Sequence, residues 1–266
     1  MAPETLLIPL LTDLIFDHLV DLGYGLVQPK QSLFACSLVC KLWAEHTHRH
    51  RFRTLALYSL SYDIHAHTAS FTIQQFVHDP LFSRSKDAVR TLLLCYEEAN
   101  RAAVDEYDFP QIIRRFPALS SLELRGVLHG RFAQPLPHPT SHLHLQRLTI
   151  NFRLQPQNTL DEHALYNVLS QFDSIEELRI TGIPSSGFRV PVGVPRSTKP
   201  PPSVISVVLR CDPSRALSSV LQWLAAPGSL EQLDVLGQVN TGPSAALALV
   251  DALPAAPRHL LFAIAL

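Results

Sequence analysis

One pattern of apolar and polar residues recurs along the chain after residue 50: apolar, two variable positions, apolar, one variable position, apolar. Its copies begin 26 to 37 residues apart, a spacing typical of proteins built from structural repeats. The alternation within each copy predicts a strand with one buried face. Seven clear copies and a degenerate last one occupy residues 52–57, 89–94, 119–124, 145–150, 175–180, 204–209, 230–235 and 257–262.

Segments between these copies carry the apolar spacing of helices. Residues 161–172 have an acidic first turn and place Leu165, Val168, Leu169 and Phe172 on one side. Helices are also predicted over residues 71–82, 108–116, 214–226 and 244–253. Strand, helix and strand in succession predict an α/β fold, with a parallel sheet, right-handed crossovers and helices on one face. A solenoid is the preferred architecture, and a compact α/β domain with a flat sheet is the alternative.

Two segments lack helix signals and are predicted to be loop excursions. Residues 126–144 carry Pro135, Pro137 and Pro139, together with several histidines. Residues 184–203 carry six prolines and two glycines, a composition that favours extended chain over packed structure.

Apolar residues also dominate two short segments near the N-terminus, Leu10–Leu19 and Ser32–Trp43. In the second segment they wrap around most of a short helix. Two helices of this length cannot enclose a core of their own. The pattern therefore predicts an N-terminal module that needs a partner surface.

The motifs of this module resemble an F-box of the fungal type. The resemblance is carried by residues 14–19 (LIFDHL), 32–43 (SLFACSLVCKLW) and 49–57 (RHRFRTLAL). It implies an F-box over residues 1–52, and residues 53–266 resemble the irregular leucine-rich repeats found behind F-boxes. The alternative for the N-terminal residues is an ordinary helical cap on a repeat protein.

An F-box implies a substrate-receptor subunit of an SCF-type ubiquitin ligase, docked on a Skp-type adaptor and through it on a cullin. Such a subunit has no active site and no cofactor; it raises the local concentration of a protein substrate near the ubiquitin donor. A non-catalytic binding scaffold without a ligase role is the alternative function, and an enzyme is a third hypothesis. The predicted adaptor contacts are Leu10, Leu11, Leu14, Ile15, Leu19, Leu33, Leu38, Val39 and Trp43.

The predicted substrate surface is the strand face opposite the buried leucines, where the variable positions of the repeat point outward. Its charges are of both signs and favour no single ligand class. The substrate-binding candidates are Glu123, Arg125, Arg147, Asn151, Glu177, Arg179, Arg210 and Asp234.

Composition narrows the function classes. The formal net charge of −1 provides no overall positive charge that would attract nucleic acid or an anionic membrane. The four cysteines favour free thiols in a reducing compartment. Because no apolar run approaches the roughly 20 residues of a membrane helix, we expect an intracellular protein, cytoplasmic or nuclear or both.

Catalytic and metal-binding motifs are absent from the sequence: it contains no phosphate-binding glycine loop, nucleophile elbow or metalloprotease helix. His46, His48 and His50 alternate and can share a strand face, but a solvated basic exit from the F-box explains them better. Cys36 and Cys40 are placed for packing in an apolar helix. No metal site is therefore predicted.

Overall fold

The computed structural model describes residues 14–15, 35–36, 38–39, 43–44, 47, 50, 52–58, 71–72, 86–95, 108–125, 143–152, 160–182, 188–189, 201–210, 215–238 and 257–265. Eleven strands and three helices have bounds within these residues. The strands are β1 (Thr54–Tyr58), β2 (Phe71–Thr72), β3 (Thr91–Cys95), β4 (Ser121–Arg125), β5 (His144–Asn151), β6 (Leu160–Asp161), β7 (Ser174–Thr181), β8 (Phe188–Arg189), β9 (Ser203–Arg210), β10 (Gln232–Gln238) and β11 (His259–Ala265). The helices are α1 (Asp108–Arg114), α2 (Glu162–Leu169) and α3 (Arg215–Ala225).

Nine of these strands form one sheet in the order β2-β1-β3-β4-β5-β7-β9-β10-β11. Every strand pair in the described residues is parallel. From β3 to β11, each strand of the sheet pairs with the next along the chain, and the short β6 and β8 form a separate pair. The predicted parallel α/β fold is confirmed.

Equivalent positions of the repeat pair with one another across the sheet. Leu122, for example, is the partner of Leu92 on one side and of Leu148 on the other. The same column continues through Leu178 to Val207 and beyond. The register therefore aligns every copy of the pattern with its neighbours, although the connections between copies differ in length.

The core lies on the sheet face to which these aligned apolar residues point. Leu92, Leu122, Leu148 and Leu178 are fully buried. The three helices contribute to the same apolar cluster, through residues such as Ile112 of α1 and, from α2 and α3, Leu165, Val168, Leu169, Val220, Leu221 and Leu224. The strand residues between the buried positions are half-buried or exposed, so the described helices cover one face and leave the other open.

A local irregularity explains why two variable positions separate the first two apolar residues of each copy. The pairing of β5 with β7 and of β7 with β9 omits Gln146, Glu176 and Ile205. At the equivalent point between β4 and β5, the carbonyl oxygen of Ser120 accepts the N–H groups of both Gln146 and Arg147, at 2.8 and 3.1 Å. Because one residue is left out of the ladder, apolar residues three apart both reach the core.

Several predicted boundaries need correction. The helices predicted over residues 108–116, 161–172 and 214–226 are present as α1, α2 and α3, but the helix predicted over 71–82 is wrong at its start. Phe71 pairs there with Leu57 as strand β2, because strand pairing overrides the helical spacing of a short segment. The rest of that helix and the one predicted over 244–253 lie outside the described residues.

The two predicted loop excursions also contain strand residues. His144, the last residue of the 126–144 excursion, begins β5 and pairs with Ser174. Ser203 begins β9, and its N–H donates to the carbonyl oxygen of Asp173 at 2.9 Å. Within 184–203, Phe188–Arg189 forms β8 against β6. Hydrogen bonding to a neighbouring strand therefore orders these residues despite the proline-rich sequence around them.

Candidate protein-binding surfaces

Apolar side chains near the N-terminus are exposed. Leu14 and Ile15 lie in helical backbone with 65% and 51% of their surface accessible, and Leu38 and Val39 lie in a turn with 73% and 63%. Trp43, another predicted adaptor contact, is half-buried. The remaining predicted contacts lie outside the described residues; they are Leu10, Leu11, Leu19 and Leu33.

All four of these exposed side chains belong to the first 39 residues of the sequence. The described residues contain seven exposed large apolar side chains, and four of them, including the three most accessible, are these N-terminal residues. Single exposed apolar residues are common on protein surfaces, whereas a concentration of them marks an interaction site. We call Leu14, Ile15, Leu38 and Val39 the apolar N-terminal surface.

The eight predicted substrate-binding residues all lie on the open face of the sheet, because each alternates with buried residues of its own strand. The structure therefore places all eight on one face, distributed over five neighbouring strands. We call this the open face, and its candidates are Glu123 and Arg125 on β4, Arg147 and Asn151 on β5, Glu177 and Arg179 on β7, Arg210 on β9 and Asp234 on β10.

Glu177 is the centre of a charge cluster on the open face that joins β5 and β7. Its Oε2 accepts Nε–H of Arg147 from β5 at 2.7 Å, and its Oε1 accepts Nε–H of Arg179 at 2.7 Å. Partial burial alone would raise the pKa of Glu177, but the hydrogen bonds and positive charges of Arg147 and Arg179 outweigh burial and hold the pKa below its ordinary value. Glu177 is therefore ionised at neutral pH.

Other open-face groups make simpler contacts. Arg125 donates through Nε to Glu123 Oε1 at 2.6 Å within β4, and Gln232 donates through Nε2 to Asp234 Oδ2 at 2.9 Å within β10. The guanidinium of Arg210 is exposed and forms no ion pair among the residues that the structure describes. Among the described residues, the open face thus presents both donors and acceptors on neighbouring strands of the sheet.

One polar contact was not anticipated from the sequence. His144 Nδ1 and Ser174 Oγ lie 2.6 Å apart at the beginning of β5 and β7. A serine–histidine pair is the starting point of nucleophilic catalysis, which also needs a water-excluding site around it. This pair is solvent-exposed and joins two strand ends, so we assign it a structural role. Only the register could have revealed it, since 30 residues separate the two side chains.

The described residues contain no group of three or more histidine, cysteine, aspartate or glutamate side chains placed to hold a metal ion. Of the three alternating histidines near the N-terminus, His46 and His48 lie outside those residues. Cys36 is a free, half-buried thiol.

No helix in the described part of the chain has the length and apolarity that crossing a membrane requires.

Comparison with known proteins adds no family to this description. The chain matches no protein-family model, and it has no match among curated proteins or among solved structures. The function is therefore proposed from the apolar N-terminal surface and the open face of the sheet.

Proposed function

We propose that this chain is a substrate-receptor subunit of an SCF-type ubiquitin ligase. In this proposal residues 1–52 form an F-box that binds a Skp-type adaptor and, through it, a cullin. Residues 53–266 form a leucine-rich-repeat-like solenoid that binds a protein substrate. The chain performs no bond chemistry itself and needs no cofactor, and it acts in the cytoplasm, the nucleus or both.

The exposure of Leu14, Ile15, Leu38 and Val39 is the observation that carries the proposal. They belong to the two segments whose motifs resemble an F-box, and they are more than half exposed in the isolated chain. Burying an apolar side chain of this size in an interface contributes about 1.5–3 kcal/mol. A partner that covers all four residues therefore gains a large part of its affinity from them.

The repeat architecture supports the second half of the proposal. Each copy of the pattern contributes one strand in a common register, and the buried residues of successive copies form one continuous core. Stacking of this kind is how solenoids are stabilised. It leaves a long open face whose polar residues are free to vary without disturbing the core, as a substrate-binding surface requires.

Co-purification with the adaptor tests the proposal. A chain carrying Leu14→Ala and Val39→Asp should lose the Skp-type adaptor and the cullin together, because truncating buried interface anchors costs about 2 kcal/mol or more each. The matched control carries Ile205→Ala and Leu261→Asp, which change exposed apolar residues outside the N-terminal module in the same way. The control should retain both proteins.

The same purification separates the proposal from the alternative of a scaffold without a ligase role. Retention of adaptor and cullin by the unmodified chain supports the ligase subunit. Recovery of the adaptor without cullin supports the scaffold instead. Full retention of the adaptor by the Leu14→Ala, Val39→Asp chain contradicts the assignment of these residues to an adaptor interface.

A further inference from the structure

Three arginines form a diagonal across the open face of the sheet. Arg147 lies on β5, Arg179 on β7 and Arg210 on β9, which are consecutive strands of the sheet. Arg179 pairs with Thr149, two residues beyond Arg147, and Arg210 pairs with Thr181, two residues beyond Arg179. Each step along the diagonal is thus one strand across and two residues onward, or about 8 Å between Cα atoms.

The diagonal carries excess positive charge. Among the described residues, Glu177 is the only carboxylate within ion-pair distance of any of the three arginines. It uses one oxygen for each of Arg147 and Arg179, which leaves a net charge of about +2 on the four residues at neutral pH. The guanidinium of Arg147 donates only its Nε–H within the described part of the chain, so its terminal amino groups are available to a ligand.

The contact with Glu177 also fixes the arginine side chains. A guanidinium held by one carboxylate at 2.7 Å has lost much of its rotational freedom before any ligand arrives. Binding a second anion through the remaining N–H groups then costs less ordering entropy. Uncharged polar side chains border the diagonal and are half-buried; they are Thr149, Asn151, Thr181 and Ser206.

We propose that this diagonal binds an extended protein segment with acidic residues at alternate positions. In an extended chain, alternate side chains point the same way about 6.6 Å apart, compared with about 8 Å between the Cα atoms of successive arginines, a difference that the long arginine side chains can span. Carboxylates on one side of such a segment therefore meet Arg147, Arg179 and Arg210 in succession, with charge-assisted hydrogen bonds. A segment of this kind would be the substrate class of the receptor proposed above. The biological role of the binding rests on that proposed function, whereas the binding itself does not.

The surface favours an acidic protein segment over a nucleic acid. Single-stranded nucleic acids bind through basic grooves that also provide aromatic side chains for base stacking. The open-face positions of β5, β7 and β9 contain no phenylalanine, tyrosine or tryptophan. The whole chain also has a formal net charge of −1, which gives no general attraction for a polyanion.

Fluorescence anisotropy with the purified full-length chain, without adaptor or cullin, tests the inference. The probe is a labelled peptide of about eight residues in which glutamate and threonine alternate, long enough to span the diagonal. A second peptide has the same composition but contiguous glutamates. We expect the alternating peptide to bind at least about fivefold more tightly, because only its carboxylates all lie on one side.

Variants locate the binding site. Arg210→Glu should weaken binding of the alternating peptide about tenfold, since it replaces an attraction by a repulsion, and it disturbs no ion pair among the described residues. Lys86→Glu makes the same charge change at an exposed turn before β3 and should leave binding within about twofold. Arg147→Gln, which leaves Glu177 paired with Arg179, should weaken binding about threefold.

Several results would overturn the inference. Equal affinity for the two peptides would show that the spacing of the carboxylates does not determine binding. Equal effects of Arg210→Glu and Lys86→Glu would show that the diagonal is not the binding site. Tighter binding of a labelled single-stranded oligonucleotide than of the alternating peptide identifies a nucleic-acid surface instead. None of these results bears on adaptor co-purification, so failure here is distinguishable from failure of the proposed ligase role.

Discussion

Arg147 and Glu177 face each other across β5 and β7, and Nε of Arg147 donates to Oε2 of Glu177 at 2.7 Å. With Arg179 on the other oxygen, the carboxylate links two strands and orders two guanidinium groups. The side chain of Glu177 is only 22% exposed, whereas the arginines remain 39–51% exposed. The cluster is therefore partly screened by solvent, and its contribution to stability is modest.

The pKa of Glu177 has a consequence for stability. Because the pKa is held below that of the unfolded chain, the carboxylate contributes stability above the ordinary glutamate pKa of about 4.3, and that contribution is lost as the pH falls through the lower folded value. Glu177→Gln should lower the free energy of unfolding by about 1 kcal/mol at neutral pH and by much less in acid. Urea denaturation at both pH values measures the difference.

Glu176→Gln is the matched control for this prediction. Glu176 is the exposed neighbour of Glu177, it is left out of the strand ladder, and its side chain has no partner among the described residues. Its replacement should change the free energy of unfolding by less than about 0.5 kcal/mol. Equal and pH-independent effects of the two substitutions would show that the arginine contacts do not stabilise the fold.

Much of the fold was predictable because its signal repeats. Leu122, Leu148 and Leu178 occupy the same position of one pattern, and any residue at that position must face the core if its neighbours do. The pattern also determines which residues share the open face. The alternation of apolar residues and the spacing of the repeat can be read from the sequence itself, so the parallel α/β fold follows from them.

The rest depends on contacts that no local pattern encodes. Phe71–Thr72 begins a segment whose apolar spacing predicts a helix but pairs with β1, and β6 pairs with β8 through two residues each. The charges of Arg147, Glu177 and Arg179 were predicted to lie on one face, yet their sharing of a single carboxylate depends on side-chain rotamers. For this reason the sequence alone predicts no ligand class for the open face. The strand register, in contrast, shows that three arginines form a diagonal across it.

Gly182 is required by the backbone where β7 ends. Its φ of 72° lies in the left-handed region, and a Cβ there would overlap the backbone carbonyl oxygen of Phe152. Gly182→Ala should therefore lower the free energy of unfolding by about 1–2 kcal/mol for the left-handed backbone and by about 1–3 kcal/mol more for displacing that carbonyl. Thermal or urea unfolding measures the total.

Gly228 provides the control for Gly182. Its φ is 73°, almost the same, but a Cβ there would meet no atom within 4 Å. Gly228→Ala should cost only the left-handed penalty of about 1–2 kcal/mol. If the two substitutions prove equally costly, close packing against Phe152 is not what requires glycine at position 182.

Leu148 and Leu260 test how far the core extends along the sheet. Both occupy the second apolar position of a repeat copy, but Leu148 is fully buried and Leu260, on the edge strand β11, is 41% exposed. Leu148→Ala should cost about 2–5 kcal/mol because it leaves a cavity. Leu260→Ala should cost less than about 1 kcal/mol, since little buried area is lost. A cost of Leu260→Ala comparable to that of Leu148→Ala in urea denaturation would mean that the side chain is covered in solution.

The two proposed surfaces should be separable. Leu14→Ala with Val39→Asp should abolish adaptor co-purification and leave binding of the alternating acidic peptide within about twofold, while Arg210→Glu should do the reverse. The reason is that no contact among the described residues joins Leu14 or Val39 to Arg210, and substitutions without shared partners act independently. Measuring both activities for each variant and for the triple variant provides the test. If the N-terminal substitutions also weaken peptide binding while circular dichroism shows an intact fold, the two surfaces are coupled, and substrate affinity depends on the adaptor-binding module.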